Sequence, residues 1–239
     1  MLYATPGGQY SRLYEDMTKQ PHLLIAGATG SGKSVVINGI ISTLLTLCFP
    51  TDAQLILIDP KRVELVQYRK LPHTIRYASE PEEFEQALRH AMSIIDSRFK
   101  DMQKRESRMW EGGQVYVIID ELADLMTTCK KQCQPLIQRI CQVGRASGVH
   151  LIAATQSPIA QIICTPIKCN LDSRVALRTR SAQDSRNILG QAGCEKLPRY
   201  GCAYYMRPEG LDLLNVPMIP EENIRRLIAW WTSSQCRVA

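Results

Sequence analysis

Residues 27–34 read Gly27-Ala28-Thr29-Gly30-Ser31-Gly32-Lys33-Ser34, between the apolar run 22–26 and a helix-like stretch 35–47. Strand, glycine turn and helix start in that order predict a phosphate-binding loop, and with it a fold of alternating strands and helices. The glycines let successive backbone N–H groups point into one concavity around a polyphosphate, which a Cβ would obstruct. The helix start near Lys33 adds unpaired N–H groups and the positive end of its dipole. Lys33 is placed to reach the β- and γ-phosphates, and the Ser34 hydroxyl to ligate Mg²⁺. The expected ligand set for ATP and Mg²⁺ is therefore residues 27–34 together with Val35.

The 239 residues suffice for one well-buried core. The simplest division is a lead-in or hairpin at 1–19 and a single domain at 20–239. With 45% hydrophobic and 22% charged residues, the composition is that of a soluble globular chain. The runs 115–119 and 149–154 are strand-sized, far below the ~18 residues of a membrane span, and the N-terminus carries no basic and apolar leader pattern. A cytoplasmic protein without membrane insertion is expected. Nine cysteines, an odd number scattered through the core pattern, read as reduced, small apolar side chains. Cys129, Cys133 and Cys141 have helical spacing, but no histidine lies near them in sequence to complete a metal site. A net charge of +6 permits an anionic partner without demanding one.

Beyond the loop, residues 53–58 form an apolar run closed by Asp59-Pro60, the pattern of a buried parallel strand. Phe84, Leu88, Met92, Ile95, Phe99 and Met102 recur every three or four positions and predict a long amphipathic helix over about 80–105. A third strand is expected at 115–119, a helix from about 132 to 146, and a fourth strand at 149–154. Less regular strand candidates follow at 173–178, 201–206 and 212–216, with a terminal helix at 220–232. This alternation implies an α/β fold with a mostly parallel sheet covered on both faces.

The strand at 115–119 ends in Asp120-Glu121. Asp120 is placed to hold a Mg²⁺-bound water, and Glu121 to align and polarise an attacking water, so hydrolysis is favoured over simple binding. Asp124, one turn on, reads as a helix-surface residue. Thr155-Gln156 ends the fourth strand, where Gln156 either senses the γ-phosphate or simply completes the hydrogen bonding of a buried strand end.

In chain order, Pro21-His-Leu-Leu, residues 27–34, Asp59-Pro-Lys-Arg-Val-Glu-Leu65, Asp120-Glu-Leu-Ala-Asp124, Arg145-Ala-Ser-Gly-Val-His150, Ala154-Thr-Gln156, Asp184-Ser-Arg186 and Gln191-Ala-Gly-Cys-Glu195 resemble the FtsK/SpoIIIE family of DNA translocases over about residues 8–230. The resemblance implies a RecA-like P-loop NTPase motor that assembles as a ring, usually a hexamer, around double-stranded DNA and moves it with ATP. It implies roles for Lys33 and Ser34 at phosphate and Mg²⁺, for Asp120 at the metal, and for Glu121 as the catalytic glutamate. Arg145 matches the arginine offered in trans to the neighbouring subunit's nucleotide, a role suited to a guanidinium. Lys168 and Arg186 match DNA-contacting positions, and Arg174, Arg178 and Arg180 add positive charge between them that reads equally as a solvated surface. Family members continue Ala-Thr-Gln with Arg-Pro, whereas this chain has Ser157-Pro158 and so one channel charge fewer. The family's preceding domain, membrane anchor and C-terminal winged-helix domain have no counterpart in these residues, which reads as a stand-alone motor or the core of something longer. Two alternatives stay open: a coupling ATPase of conjugative transfer, and a nucleotide-dependent interaction module that does not pump.

Overall fold

A computed structural model describes residues 2–4, 11–13, 15–159, 162 and 165–233. Among these, the strands β1 (Leu2–Ala4), β2 (Ser11–Leu13), β3 (His22–Ala26), β4 (Ala53–Ile58), β5 (Thr74–Ala78), β6 (Gln114–Ile119), β7 (Val149–Thr155), β8 (Ser173–Ala176), β9 (Cys202–Arg207) and β10 (Gly210–Asn215) form one sheet. Their order across it is β2-β1-β10-β9-β8-β3-β7-β6-β4-β5. From β8 to β5 neighbouring strands run parallel. The remaining strands extend one side antiparallel, with β1 paired between β2 and β10.

Each parallel strand carries apolar residues on both faces because helices cover both. In β4, Leu55 and Leu57 join one core while Ile56 and Ile58 join the other, the period-2 alternation of a pleated strand. Helices α1 (Lys33–Leu47) and α6 (Glu221–Thr232) pack Ile37, Ile41, Leu45, Ile224 and Trp231 on the first face. Helices α2 (Pro81–Lys104) and α3 (Leu122–Ser147) pack Phe84, Leu88, Ile95, Leu125, Ile137 and Ile140 on the second. Two shorter helices, α4 (Thr165–Lys168) and α5 (Ala182–Leu189), flank β8. This is the mostly parallel α/β architecture anticipated from the sequence.

Local signals explain most boundaries. Helix α2 opens with Pro81 behind a capping box in which Glu83 Oε2 accepts from the Ser79 and Glu80 N–H groups at 2.9 and 3.1 Å. Helix α3 begins at Leu122, about ten residues earlier than its apolar period suggests. A kink at Cys129 (φ −132°, ψ 33°) and Pro135 interrupt the phase, so its first turns do not read in register with the rest. Strand β5 gave no apolar run because four of its five residues are only partly buried at the sheet edge.

Arg98 organises the far end of the α2–α3 pair. It is buried, its Nη1 donates to the carbonyls of Ser147 and Gly148 at 2.7 and 2.9 Å, and its Nη2 donates to Gly113 O at 2.6 Å. The guanidinium thus caps the orphan carbonyls at the C-terminus of α3, with Trp110 stacked 4.7 Å from it.

Candidate nucleotide site

The parallel strands bring the chemistry-bearing residues to one edge. Register pairs Ala26 with Thr155 and with Ala176, and Ile58 with Ile119, so residues 27, 59, 120, 156 and 177 all follow strand ends at the same side of the sheet. Strand β7 lies between the loop strand β3 and the acid-bearing strand β6, which opens the crevice where ligands of such sheets bind.

The loop is shaped for a polyphosphate. Gly30 and Gly32 adopt φ of +72° and +105°, conformations that side chains resist. A Cβ on Gly27 would lie 2.6 Å from Ser31 Oγ and 2.7 Å from Leu177 Cβ, so only glycine lets the loop pack against the segment after β8. Ser31 Oγ is buried without a hydrogen-bond partner among the described residues, as befits a loop whose polar groups await a ligand. Lys33 is buried, and its Nζ donates to Gly27 O at 3.3 Å. Burial lowers the Lys33 pKa, and the charges of Glu121 and Asp120 partly restore it.

Glu121 is almost fully enclosed and accepts from three donors: Thr155 Oγ1 at 2.8 Å, the Gln156 N–H at 3.0 Å and Lys61 Nζ at 3.1 Å. Gln156 Oε1 in turn accepts from Thr29 Oγ1 of the loop at 2.6 Å. A continuous chain therefore runs from the phosphate loop through Gln156 to Glu121 and Lys61. Lys61 also lies 3.8 Å from Asp124, a half-exposed residue on the surface of the first turn of α3 that adds to the charge around the site. Lys61 and Thr155 lie inside sequence motifs, but their contact with Glu121 comes only from the fold.

Asp120 is buried, and its pKa is pushed up to about 7, first by burial and then by the charges of Glu64, Asp59 and Glu121, with Lys61 opposing. Asp59 is itself buried: one carboxylate oxygen accepts from the Leu65 N–H at 3.0 Å, and the other has no partner among the described residues. Among the described residues no three acidic, His or Cys side chains converge as a metal site of their own, but the negative charge around Asp120 and the unpartnered Asp59 oxygen are compatible with a divalent cation held by Asp120 and Ser34 together with a bound polyphosphate.

The other predicted residues lie elsewhere. Arg145 sits in the last turn of α3, the helix that starts beside Glu121, on the order of 35 Å from it at 1.5 Å per residue. It is exposed and has no side-chain partner among the described residues, in a polar groove it shares with Lys19, Gln20 and Asp172. Arg145 therefore belongs to the opposite edge of the sheet from its own loop. Gly144 beside it is required, since a Cβ there would meet Val149 O at 2.2 Å.

Lys168 is half-buried at the end of α4, and Arg186 is exposed in the last turn of α5. Arg174 joins these segments: its Nε donates to Leu171 O at 2.7 Å, Nη1 to Ile188 O at 2.8 Å and Nη2 to Lys168 O at 2.9 Å. Arg174 is buried and satisfied by carbonyls, hence a structural cation rather than surface charge; Arg178 and Arg180 are exposed. No helix among the described residues is long and apolar enough to cross a membrane.

Two solved structures share the fold: the pCW3 conjugation coupling protein TcpA in its monomer form with ATPγS (TM-score 0.81, 22% identity, 96% of this chain and 70% of that one), and EssC ATPases 2 and 3 from Geobacillus thermodenitrificans (TM-score 0.86, 16% identity, 100% of this chain and 49% of that one). In sequence, the chain is 44% identical over 233 residues to a DNA translocase FtsK of Clostridium acetobutylicum, covering 90% of this chain and 30% of that protein. A DNA translocase FtsK of Staphylococcus epidermidis is 42% identical over 210 residues, with 80% and 26% covered. The chain thus spans less than a third of the length of these relatives. The sequence profile of the FtsK/SpoIIIE family matches residues 6–114 and 105–160, and with that match over the loop, the Asp120-Glu121 strand and the Thr155-Gln156 strand, this chain belongs to the FtsK/SpoIIIE family.

Proposed function

We propose that this chain is an ATP-hydrolysing motor domain that moves double-stranded DNA of any sequence as part of a homo-oligomeric ring, a hexamer by analogy with the family. The observation that carries the reading is the division of the catalytic groups. Lys33, Asp120 and Glu121 face one edge of the sheet, while Arg145, without a side-chain partner among the described residues, stands at the other. An arginine that cannot reach its own loop is useful to hydrolysis when another subunit's loop is presented to it, which makes turnover depend on assembly.

Within the site, Lys33 and the loop N–H groups hold the β- and γ-phosphates, and Glu121 orients the attacking water. Ser34 and Asp120 would hold Mg²⁺, which neutralises charge across the β- and γ-phosphates. Gln156 ties the loop to Glu121 through Thr29, so a γ-phosphate at the loop competes for that hydrogen bond and alters how Glu121 is held. The relatives called DNA translocases support duplex DNA as the substrate. Lys168 and Arg186, on segments bound to each other through Arg174, are assigned to its phosphates.

The test is steady-state ATP hydrolysis with and without long duplex DNA, with Lys33→Ala as the blank. Strong stimulation by duplex of any sequence is expected. Hydrolysis indifferent to DNA at concentrations that permit assembly would remove the translocation reading and leave an ATPase that works on another partner.

A further inference from the structure

A second cation stands at the mouth of the phosphate loop. The chain between the 3₁₀ turn Cys194–Lys196 and β9 passes beside the loop, and Arg199 Nη2 lies 3.8 Å from where a Cβ on Gly30 would be. Gly30 is the exposed apex of the loop, and Arg199 is exposed with it. Among the described residues Arg199 has no ion pair and no hydrogen bond, and its guanidinium carbon lies 5.3 Å from the centre of the Tyr200 ring. Arg62 pairs with Glu80 and Arg174 is held by carbonyls, while Arg178 is exposed and meets the loop through its carbonyl, which accepts from the Ala28 N–H at 2.8 Å. An uncommitted guanidinium against a loop built to surround anions is an arrangement that a bound anion completes.

We propose that Arg199 is a ligand of the nucleotide's polyphosphate in its own subunit, closing the loop from its exposed rim while Lys33 serves it from within. The proposal rests on the reading of residues 27–34 as a nucleotide site and adds a residue to it. The division of labour follows from the two side chains. Lys33 is a buried point charge on a short tether to Gly27 O, suited to the terminal phosphates that reach the loop floor. Arg199 presents a planar fork at the surface, where two N–H groups can bind adjacent phosphate oxygens and the Tyr200 ring supports the guanidinium face. Arg199 differs from Arg145 in a way that can be measured: it contributes to binding without a neighbouring subunit.

The experiment titrates Mg²⁺·ADP and Mg²⁺·ATPγS into wild type, Arg199→Ala, Arg199→Lys and Lys33→Ala proteins. Arg199→Ala is expected to weaken both nucleotides about tenfold, the scale of one exposed charge-assisted contact, and to flatten the dependence of affinity on salt. Arg199→Lys should recover part of the loss. Because the side chain is exposed, the thermal midpoint of Arg199→Ala without nucleotide should match wild type. Equal affinity of wild type and Arg199→Ala would overturn the proposal and leave the loop reading intact. Recovery of tight binding on mixing Arg199→Ala with Lys33→Ala subunits would place Arg199 in trans and overturn the assignment to its own subunit. Failure of wild type to bind either nucleotide would remove the loop reading and the proposal with it.

Discussion

Lys61 Nζ lies 3.1 Å from Glu121 Oε2, so the carboxylate assigned to water activation is ion-paired. With Thr155 Oγ1 and the Gln156 N–H also donating, the acceptor positions of Glu121 are largely taken. A carboxylate so occupied has few lone pairs left to align an attacking water, because each donor claims an acceptor position. Burial tends to lower the Lys61 pKa, and the hydrogen bond and charge of Glu121 outweigh it and leave it raised. The ammonium therefore stays on Glu121 throughout the neutral range. Lys61→Ala should raise DNA-independent ATP turnover several-fold and compress the stimulation that DNA provides. Turnover unchanged or reduced in Lys61→Ala, measured without DNA, would show that the pair does not restrain Glu121.

Asp120 carries the opposite cost. Its pKa of about 7 in the folded chain stands above the unfolded value of 3.8, so the folded state holds the proton more tightly. Stability is therefore lost as pH rises from about 4 to 7, and above 7 the ionised, buried carboxylate destabilises the chain on the order of 2–4 kcal/mol. Asp120→Asn should raise the unfolding free energy at pH 8 by a similar amount while abolishing hydrolysis. Urea unfolding of the two proteins without Mg²⁺ and nucleotide reads this directly, and an Asn variant no more stable than wild type would refute it.

How much of this was legible beforehand follows from the kind of signal each residue carries. The loop, the Asp120-Glu121 pair and the strands around them are local patterns: glycines at set spacing, or an apolar run ending in acid. Strand β5 and the first turns of α3 left little local trace, one because an edge strand is only partly buried and the other because the kink at Cys129 breaks the helical period. The partners of Glu121 come from positions 61, 155 and 156, brought together only by the order of parallel strands β4, β6 and β7. Arg174 was the instructive ambiguity. Its charge suggested a surface, but its place in β8 turns the guanidinium inward to three carbonyls, and only the fold reveals that.

His22 and His150 set the acid limit of the fold. Both are buried near the N-terminal ends of β3 and β7, and each has a pKa lowered to about 4, in each case first by burial. For His22 the charge of His150 adds to the effect. His22 Nδ1 accepts from the Leu151 N–H at 3.0 Å, and His150 stacks on Tyr116 with ring centres 5.0 Å apart. Folded values below the unfolded value of 6.5 mean that stability is complete above 6.5 and falls as pH drops toward 4, by up to roughly 3 kcal/mol for each histidine. Asp120 works the other way in the same window, so the measurement belongs in the Asp120→Asn background. Unfolding free energy there should decline between pH 6.5 and 4.5, and a flat profile would mean that the two rings accept protons without cost.

Arg145 supplies the sharpest test of assembly, because its carrier is rigidly held. Arg98 fixes the carbonyls of Ser147 and Gly148 just beyond it, and Gly144 lets the last turn of α3 lie against the start of β7. The guanidinium is therefore presented at a defined place on the edge remote from its own loop, and an exposed arginine so constrained contributes little to the fold of its own chain. Arg145→Ala should keep wild-type nucleotide affinity and unfolding free energy while losing at least tenfold in turnover. When Arg145→Ala subunits are mixed with Glu121→Gln subunits, each inactive alone, a ring can place an intact Arg145 against an intact Glu121. Activity should then reappear in the mixture, rising and falling with the mixing ratio. A mixture no more active than its two components would show that Arg145 does not complete the site of another subunit.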